Sequence, residues 1–238
     1  MVTLLIATRN AHKVGEIRAI LGGNFHYLTL NDFRHAPKTV EDAATFAGNA
    51  AKKALDLAKW LPESWNPEAG TRNRAGFVLA DDSGLEVDAL GGAPGVHSAR
   101  FAALDRSPDG LSAGNSPDTD NNAKLLRLLQ EVPPEKRTAR FRCVLALAHV
   151  DVQTPECEKP NPRSAIRNPH LFEGTCEGRI GFTPRGQGGF GYDPLFIPDG
   201  FDSSFAELGE EVKNRLSHRA KALAGLKRWL DSRPAVSS

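Results

Sequence analysis

The chain has almost no net charge. Its 30 lysines and arginines face 29 aspartates and glutamates, leaving +1, which excludes a protein that coats nucleic acid or another polyanion through bulk charge. Whatever it binds, it must hold by local charge. Cysteine is scarce as well. Cys143, Cys157 and Cys176 are an odd number at wide spacings, a pattern that suits neither a disulfide framework nor a zinc site, so they read as reduced and structural. Long apolar runs are missing. The opening MVTLLIA is far too short to span a bilayer and has no basic n-region or small-residue cleavage site around it. It therefore reads as a buried strand of a cytoplasmic protein with no membrane partner. There is no internal repeat and no clear linker, and the length fits one large domain or two small lobes.

What is present is an alternation of strand and helix patterns. Val2 to Ala7 predicts a strand, and Val14, Ile17, Ile20 and Leu21 recur at helical spacing over Lys13 to Leu21. Strand, polar turn and helix open an α/β fold. Phe25 to Leu30 predicts a second strand, ahead of an alanine-rich helix from Ala43 to Trp60 with Phe46, Ala50, Leu57 and Ala58 on or near one face. Pro62 to Arg74 reads as an exposed loop. Gly76 to Ala80 predicts a strand entering a double aspartate, with Ser83 and Gly84 turning the chain and Leu85 to Leu90 leaving as another strand. A helix over Asp120 to Glu131, stopped by Pro133 and Pro134, precedes the long alternating run Thr138 to Val150. Asp151 to His170, rich in proline and charge, reads as a flexible insertion. Leu171 to Phe182 resumes strand character, and Ser217 to Leu230 closes the chain as a helix.

Several stretches carry more polar equipment than folding needs. ATRNAHK, Ala7 to Lys13, sits between the first strand and helix, where unpaired N–H groups and the helix dipole favour an anion. On its own it reads rather as a solvated cap, with Asn10 at the cap position and Lys13 as surface charge, and it lacks the glycines and Lys-Ser/Thr pair of a Walker loop. Asn49 and Lys53 stand four residues apart on one helix face, with Glu41 ahead of them as a cap or a hard oxygen ligand. In ADDSG, strand alternation sends Asp81 and Asp82 to opposite faces, so one of them faces a given site. That one could bind magnesium or activate water; an Asx-type turn with a solvated acid pair explains the same residues, and both readings stay open here. Ser98 and Arg100 follow closely. GQGGFGYDP, Gly186 to Pro194, surrounds Phe190 with glycines that let a flat ligand approach its ring. In KNRLSHRAKAL, Ser217 can cap the last helix, which puts His218 and Arg219 in its first turn, where positive side chains oppose the dipole.

Taken in order, ATRNAHK, TFAGNAAKKA, ADDSGLEVDALGGAPGVHSARF, FRCVLALA, GGFGYDP and SHRAKAL resemble the inosine triphosphate pyrophosphatase family, the XTP/dITP diphosphatases that clear non-canonical purine nucleotides. The likeness spans nearly the whole chain apart from Pro62 to Arg74 and Asp151 to His170. It implies one α/β domain over residues 1–238, an elongated mixed sheet flanked by helices, with two lobes around an active cleft, usually as a homodimer. It implies hydrolysis of a purine nucleoside triphosphate to monophosphate and pyrophosphate with Mg2+. By matching position, Thr8, Arg9, Asn10, Ala11, His12 and Lys13, together with Lys53, would bind the triphosphate. Glu41 and Asp82 would hold the metal, and Asp82 would activate water. Ser83 would touch the substrate; Phe190, Gly191, Tyr192 and Asp193 would hold the base; Lys213, His218 and Arg219 would read its edge.

Two positions depart from the family pattern: Gly48 stands where a glutamate is common, and His97 where a tyrosine is usual. Losing a carboxylate near the metal either weakens binding or removes an outer group, and sequence leaves that choice open. It also leaves open a Maf-like pyrophosphatase for other modified nucleotides, which the SHR and GGFGYDP stretches disfavour, and a nucleotide-binding sensor without catalysis.

Overall fold

The computed structural model describes residues 2–64, 75–106, 114–150 and 168–232. Cys157 and nearly all of the proposed insertion lie outside these residues, as does the part of the expected loop after Ser64. The apolar start of the chain forms β1 (Val2–Ile6), with Leu4, Leu5 and Ile6 fully buried. It pairs in parallel with β2 (Phe25–Thr29) on one side and β3 (Ala75–Val87) on the other. Parallel neighbours need crossover helices. The first is α1 (Ala11–Leu21), capped by Asn10 and burying Ile17 and Leu21. The second is α2 (Phe46–Ser64), which starts later than expected and runs past Pro62. Phe46, Ala50, Ala54, Leu57, Ala58 and Leu61 form its buried stripe, and that burial carries the helix through a residue of poor propensity. Right-handed crossovers leaving β2 and β1 in opposite directions put α1 and α2 on opposite faces of the sheet.

The double aspartate does not lie at a bend. β3 continues unbroken through Asp81, Asp82, Ser83 and Gly84 to Val87, and Gly84 is absent from the glycines with positive φ. Aspartate, serine and glycine are turn formers only when their polar groups lack better partners, and here tertiary partners exist. The chain turns later, at Gly91 and Gly92, where Gly92 N–H donates to the Val87 carbonyl at 3.0 Å. Asp88–Leu90 is a single 3-10 turn rather than strand.

The remaining strands are β4 (Thr138–His149), β5 (His170–Ile180) and the three-residue β6 (Phe196–Pro198), which runs antiparallel to β5. The hydrogen-bonded order is β2-β1-β3-β4-β5-β6, a mixed open sheet. Three helices complete the chain: α3 (Asp118–Leu128), α4 (Phe205–Leu216) and α5 (His218–Asp231). Neither α4 nor β6 was expected. Two compact units result, one of residues 1–82 with 144–172, the other of residues 83–143 with 173–238. The second has a core of Leu85, Val87, Phe101, Leu125, Phe141, Tyr192, Phe196 and Phe205.

Within this second unit α5 presses directly on β5. A Cβ at Gly174 would come within 2.1 Å of the His218 carbonyl oxygen and 2.6 Å of the Ala222 nitrogen. Backbone cannot yield as a flexible side chain can, so the position admits only glycine. Gly174→Ala should cost about 2 kcal/mol, the range for overpacking a rigid contact, read as a lower urea midpoint with unchanged slope.

Candidate functional site

In the first unit, strand alternation delivers the two aspartates to two helices. Asp81 forms an ion pair with Lys13 of α1. Asp82 accepts from Asn49 Nδ2 at 3.2 Å and from Lys53 Nζ at 3.2 Å, both on α2. The shared face expected of Asn49 and Lys53 is therefore used, and on a single carboxylate. The Lys53 ammonium also donates to the Asp81 carbonyl at 2.8 Å and lies 3.3 Å from Glu41 Oε1. Asn49 is fixed at its other end, its Oδ1 accepting from the Ala43 N–H at 2.9 Å, which sets the amide so that nitrogen faces Asp82. Both aspartates are buried.

Charge in this group does not quite balance. Lys13 and Lys53 supply two positive charges against three negative ones on Asp81, Asp82 and Glu41, so 2 − 3 leaves −1. Burial pushes the Asp82 carboxyl above its ordinary value, against the pull of Lys53 and Lys13, and Glu41 adds to the rise. Burial also opposes the charge on Lys53, but Asp82, Glu41 and Asp81 outweigh it and hold the ammonium protonated. The result is a carboxylate with raised basicity beside a permanent cation.

The loop before α1 is arranged as a cap. Asn10 Oδ1 accepts from the N–H groups of His12 at 2.9 Å and Lys13 at 3.1 Å, and Thr8 Oγ1 accepts from the Asn10 N–H at 3.1 Å. Arg9, Asn10, Ala11 and His12 are exposed. Two of the donors that the sequence offers to an anion are thus held by the cap residue itself.

The second unit gathers the other candidates. Lys213, almost wholly buried, donates to Asp193 Oδ2 at 2.6 Å, and its ammonium lies 4.3 Å from the centre of the Phe190 ring. Asp193 Oδ2 also accepts the Phe190 N–H at 2.8 Å. The Arg219 guanidinium reaches Ser83 Oγ at 2.8 Å and stands 5.9 Å from the Phe190 ring. His218 is buried and stacks on Phe141 at 4.8 Å between centroids. Ser217 caps α5 through the Ala220 N–H, as its spacing predicts. Ser83, Phe190, Asp193, Lys213 and Arg219 therefore form one connected set. Tyr192 instead donates its hydroxyl to the Ser98 carbonyl at 2.9 Å, and burial, with Asp118 nearby, raises its pKa. Ser98 has a structural task, accepting from the Leu85 N–H and donating to the Gly95 carbonyl. Among the described residues no three histidine, cysteine, aspartate or glutamate side chains converge as a metal cluster.

The model of the Ham1 family matches residues 4–229. The chain belongs to the Ham1 family. It is 45% identical to the dITP/XTP pyrophosphatase of Desulforamulus reducens, over 92% of this chain and 91% of that one. It is 44% identical to the protein of the same name from Geobacillus kaustophilus, over 95% and 93%. Among solved structures it resembles the HAM1 protein of Coxiella burnetii, with TM-score 0.72 and 32% identity over 98% of this chain and 100% of that one. The Ham1 protein of Staphylococcus aureus gives 0.71 and 30% over 96% and 98%.

Within the Ham1 frame both departures acquire surroundings. A Cβ at Gly48 would come within 2.7 Å of the Ala43 Cβ and 3.1 Å of Thr45 Oγ1. The segment ahead of α2 folds tightly over its first turn, and the Gly48 N–H donates to Thr45 Oγ1 at 3.1 Å. A glutamate here would have to push this segment outward, so glycine belongs to the same local packing that ties Ala43 to Asn49. His97 lies in the 3-10 helix Gly95–Arg100, where burial first and Arg100 second lower its pKa.

Lys53→Met should destabilise the protein by about 3 kcal/mol, because it strands buried carboxylate charge. Adding Asp82→Asn to it should recover part of that, a coupling measurable by urea unfolding of the single and double variants. The deficit of the single variant should shrink on acidification. With a folded pKa above the unfolded one, native Asp82 binds its proton first, so stability falls as pH rises through the raised pKa and recovers below it.

Proposed function

We propose that this protein hydrolyses non-canonical purine nucleoside triphosphates, dITP, ITP and XTP, to monophosphate and pyrophosphate. The names of its relatives and its membership of the Ham1 family support the reaction class. The observation that carries the chemistry is Asp82, a buried carboxylate of raised pKa held between Asn49 and Lys53. Such a group, paired with a cation yet more basic than a free aspartate, suits a general base that takes a proton from water attacking the α-phosphorus. Electrons then pass to the bridging oxygen, and pyrophosphate leaves. Asn49 fixes the carboxylate's orientation, and Lys53 keeps a positive charge beside it.

A divalent metal fits the donor set. Magnesium needs only one or two carboxylates, with phosphate and water oxygens completing its shell. Glu41 and Asp82 already face one cation, the Lys53 ammonium, and the group retains its net negative charge. Glu41 and Asp82 would hold magnesium, which when bound would offset charge on the phosphates. Thr8 to Lys13 and Lys53 would bind the triphosphate. In the second unit Ser83 would touch the substrate, Phe190 to Asp193 would hold the base, and Lys213, His218 and Arg219 would read its edge. Hypoxanthine and xanthine carry an acceptor oxygen at C6 that these donors can satisfy. Adenine presents an amino donor instead, and two facing donors leave buried polar groups unpaired.

A homodimer in the cytoplasm completes the reading. The family resemblance supports the dimer, and the buried free thiols of Cys143 and Cys176 suit a reducing compartment. No helix among the described residues is long and apolar enough to cross a membrane.

Pyrophosphate release with magnesium across dITP, XTP, dGTP, dATP and dCTP tests the function, with dITP and XTP expected to dominate. Asp82→Asn should lower turnover by about 10^3-fold, within the range of a lost general base, while nucleotide binding persists. In the unsubstituted enzyme the acid limb of kcat/KM should have its midpoint above the ordinary aspartate value of 3.8; release near the normal rate by the variant would remove Asp82 from the role. Separately, His218→Ala or Arg219→Ala should reduce the dITP to dATP preference roughly tenfold to a hundredfold, the worth of a charged hydrogen bond, in competition assays. An unchanged ratio would place base reading elsewhere.

A further inference from the structure

Helix α3 was expected only as a helix, yet its first turns reach the loop that carries Phe190. Asp118 Oδ2 accepts the Gly191 N–H at 2.6 Å, and Asn122 Nδ2 donates to the Gly191 carbonyl at 3.0 Å. Residues at i and i+4 share a helix face, so one face of α3 grips both polar groups of a single peptide residue. Gly191 has φ +63, the left-handed conformation in which glycine is at ease. Its neighbour Phe190 is held on the other side by Asp193 and covered by Lys213.

Asn122 is poorly explained as a stability device. It is 7% exposed, and its Oδ1 has no hydrogen-bond partner among the described residues. Reversing the amide would set oxygen against the Gly191 carbonyl, so the acceptor fixes its orientation. A half-satisfied buried amide costs stability that an apolar residue would not. The adjacent Asn121 shows the contrast: it accepts from the Ala102 N–H at 2.8 Å and donates to the Ala99 carbonyl at 3.4 Å.

We propose that Asp118 and Asn122 are positioning residues for base recognition, clamping Gly191 so that the Phe190 ring is held where a purine can stack on it. The inference rests on the functional reading above, in which residues 190–193 hold the base. Neither residue touches the substrate; both act through the loop. With the clamp open, the loop samples other conformations, and the nucleotide must supply the ordering free energy on binding. The cost falls on base binding and discrimination rather than on chemistry at the phosphates.

The test compares steady-state kinetics of the full-length enzyme with dITP and dATP, for the unsubstituted protein, Asn122→Ala, Asn122→Asp, Asp118→Ala and Asp118→Asn. Loss of one such hydrogen bond is worth about 1.4 kcal/mol, or tenfold. Asn122→Ala and Asp118→Ala should each raise KM for dITP about tenfold, with kcat changed less, and should lower the dITP to dATP ratio of kcat/KM. Asp118→Asn keeps an acceptor and should recover most of the KM. Asn122→Asp puts an acceptor against a carbonyl and should not. Hydrogen exchange in residues 186–193 should quicken in the two alanine variants. A merely structural role would lower the active fraction and so kcat, leaving KM and the substrate ratio unmoved; that result overturns the clamp. If the unsubstituted enzyme turns over dITP while the variants keep its KM and ratio, the clamp alone fails. If the unsubstituted enzyme does not turn over dITP, the underlying functional reading fails.

Discussion

One largely buried ammonium organises the first unit. Lys53 Nζ contacts the Asp81 carbonyl, the Asp82 carboxylate and the Glu41 carboxylate, and so ties α2 and the segment ahead of it to the middle of β3. Without a cation there, Asp82 would be a desolvated charge, and a carboxylate in that position protonates rather than stays ionised. With the cation fully compensating, its pKa would fall and it would be a poor base. The structure sits between these limits, since burial outweighs the attraction of the lysines and lifts the pKa while the ion pair persists. The constraint extends to Gly48, whose missing Cβ lets residues 43–45 close over α2.

The second unit repeats this arrangement with other partners. Lys213 is buried against Asp193, which also accepts the Phe190 N–H. In each unit a lysine and an aspartate share one buried pair while a further group borrows the aspartate: Asn49 in the first, the Phe190 backbone in the second. The pairs are costly to desolvate, and their hydrogen bonds to amide groups offset part of that cost. Each fixes the orientation of a functional candidate as well as neutralising charge.

Much of this was legible in the sequence where the signal was local. The apolar period of α1, the Asn10 cap, the buried stripe of α2 and the existence of β4 all follow from spacing, as does the separation of Asp81 from Asp82 onto different partners. Burial in β4, however, alternates only as far as Arg142, and Cys143 to Ala148 are buried on both faces. The signal failed where tertiary partners overruled local preference. DDSG reads as a turn, but Lys13, Lys53 and Arg219 satisfy Asp81, Asp82 and Ser83 in an extended strand. Helix α4 announces itself with a capping box between Ser204 and Glu207, but Gly209 at φ +79 breaks its period. Asp118 and Asn122 reach Gly191 across 73 and 69 residues of sequence, and no local pattern encodes such a distance.

The glycines of GQGGFGYDP invite the opposite error. Glycine-rich composition alone would suggest flexibility, whereas the structure uses Gly186 and Gly189 for contacts closer than any side chain allows. A Cβ at Gly189 would meet Asp193 Oδ2 at 2.2 Å, and one at Gly186 would meet the Ala206 backbone at 2.5 Å. Asp193 can hold the Phe190 N–H and Lys213 together only because Gly189 leaves room. A loop built this way spends its conformational freedom during folding rather than on binding. An aromatic face presented by such a loop can discriminate between bases, because a misfitting base cannot reshape the loop to suit itself.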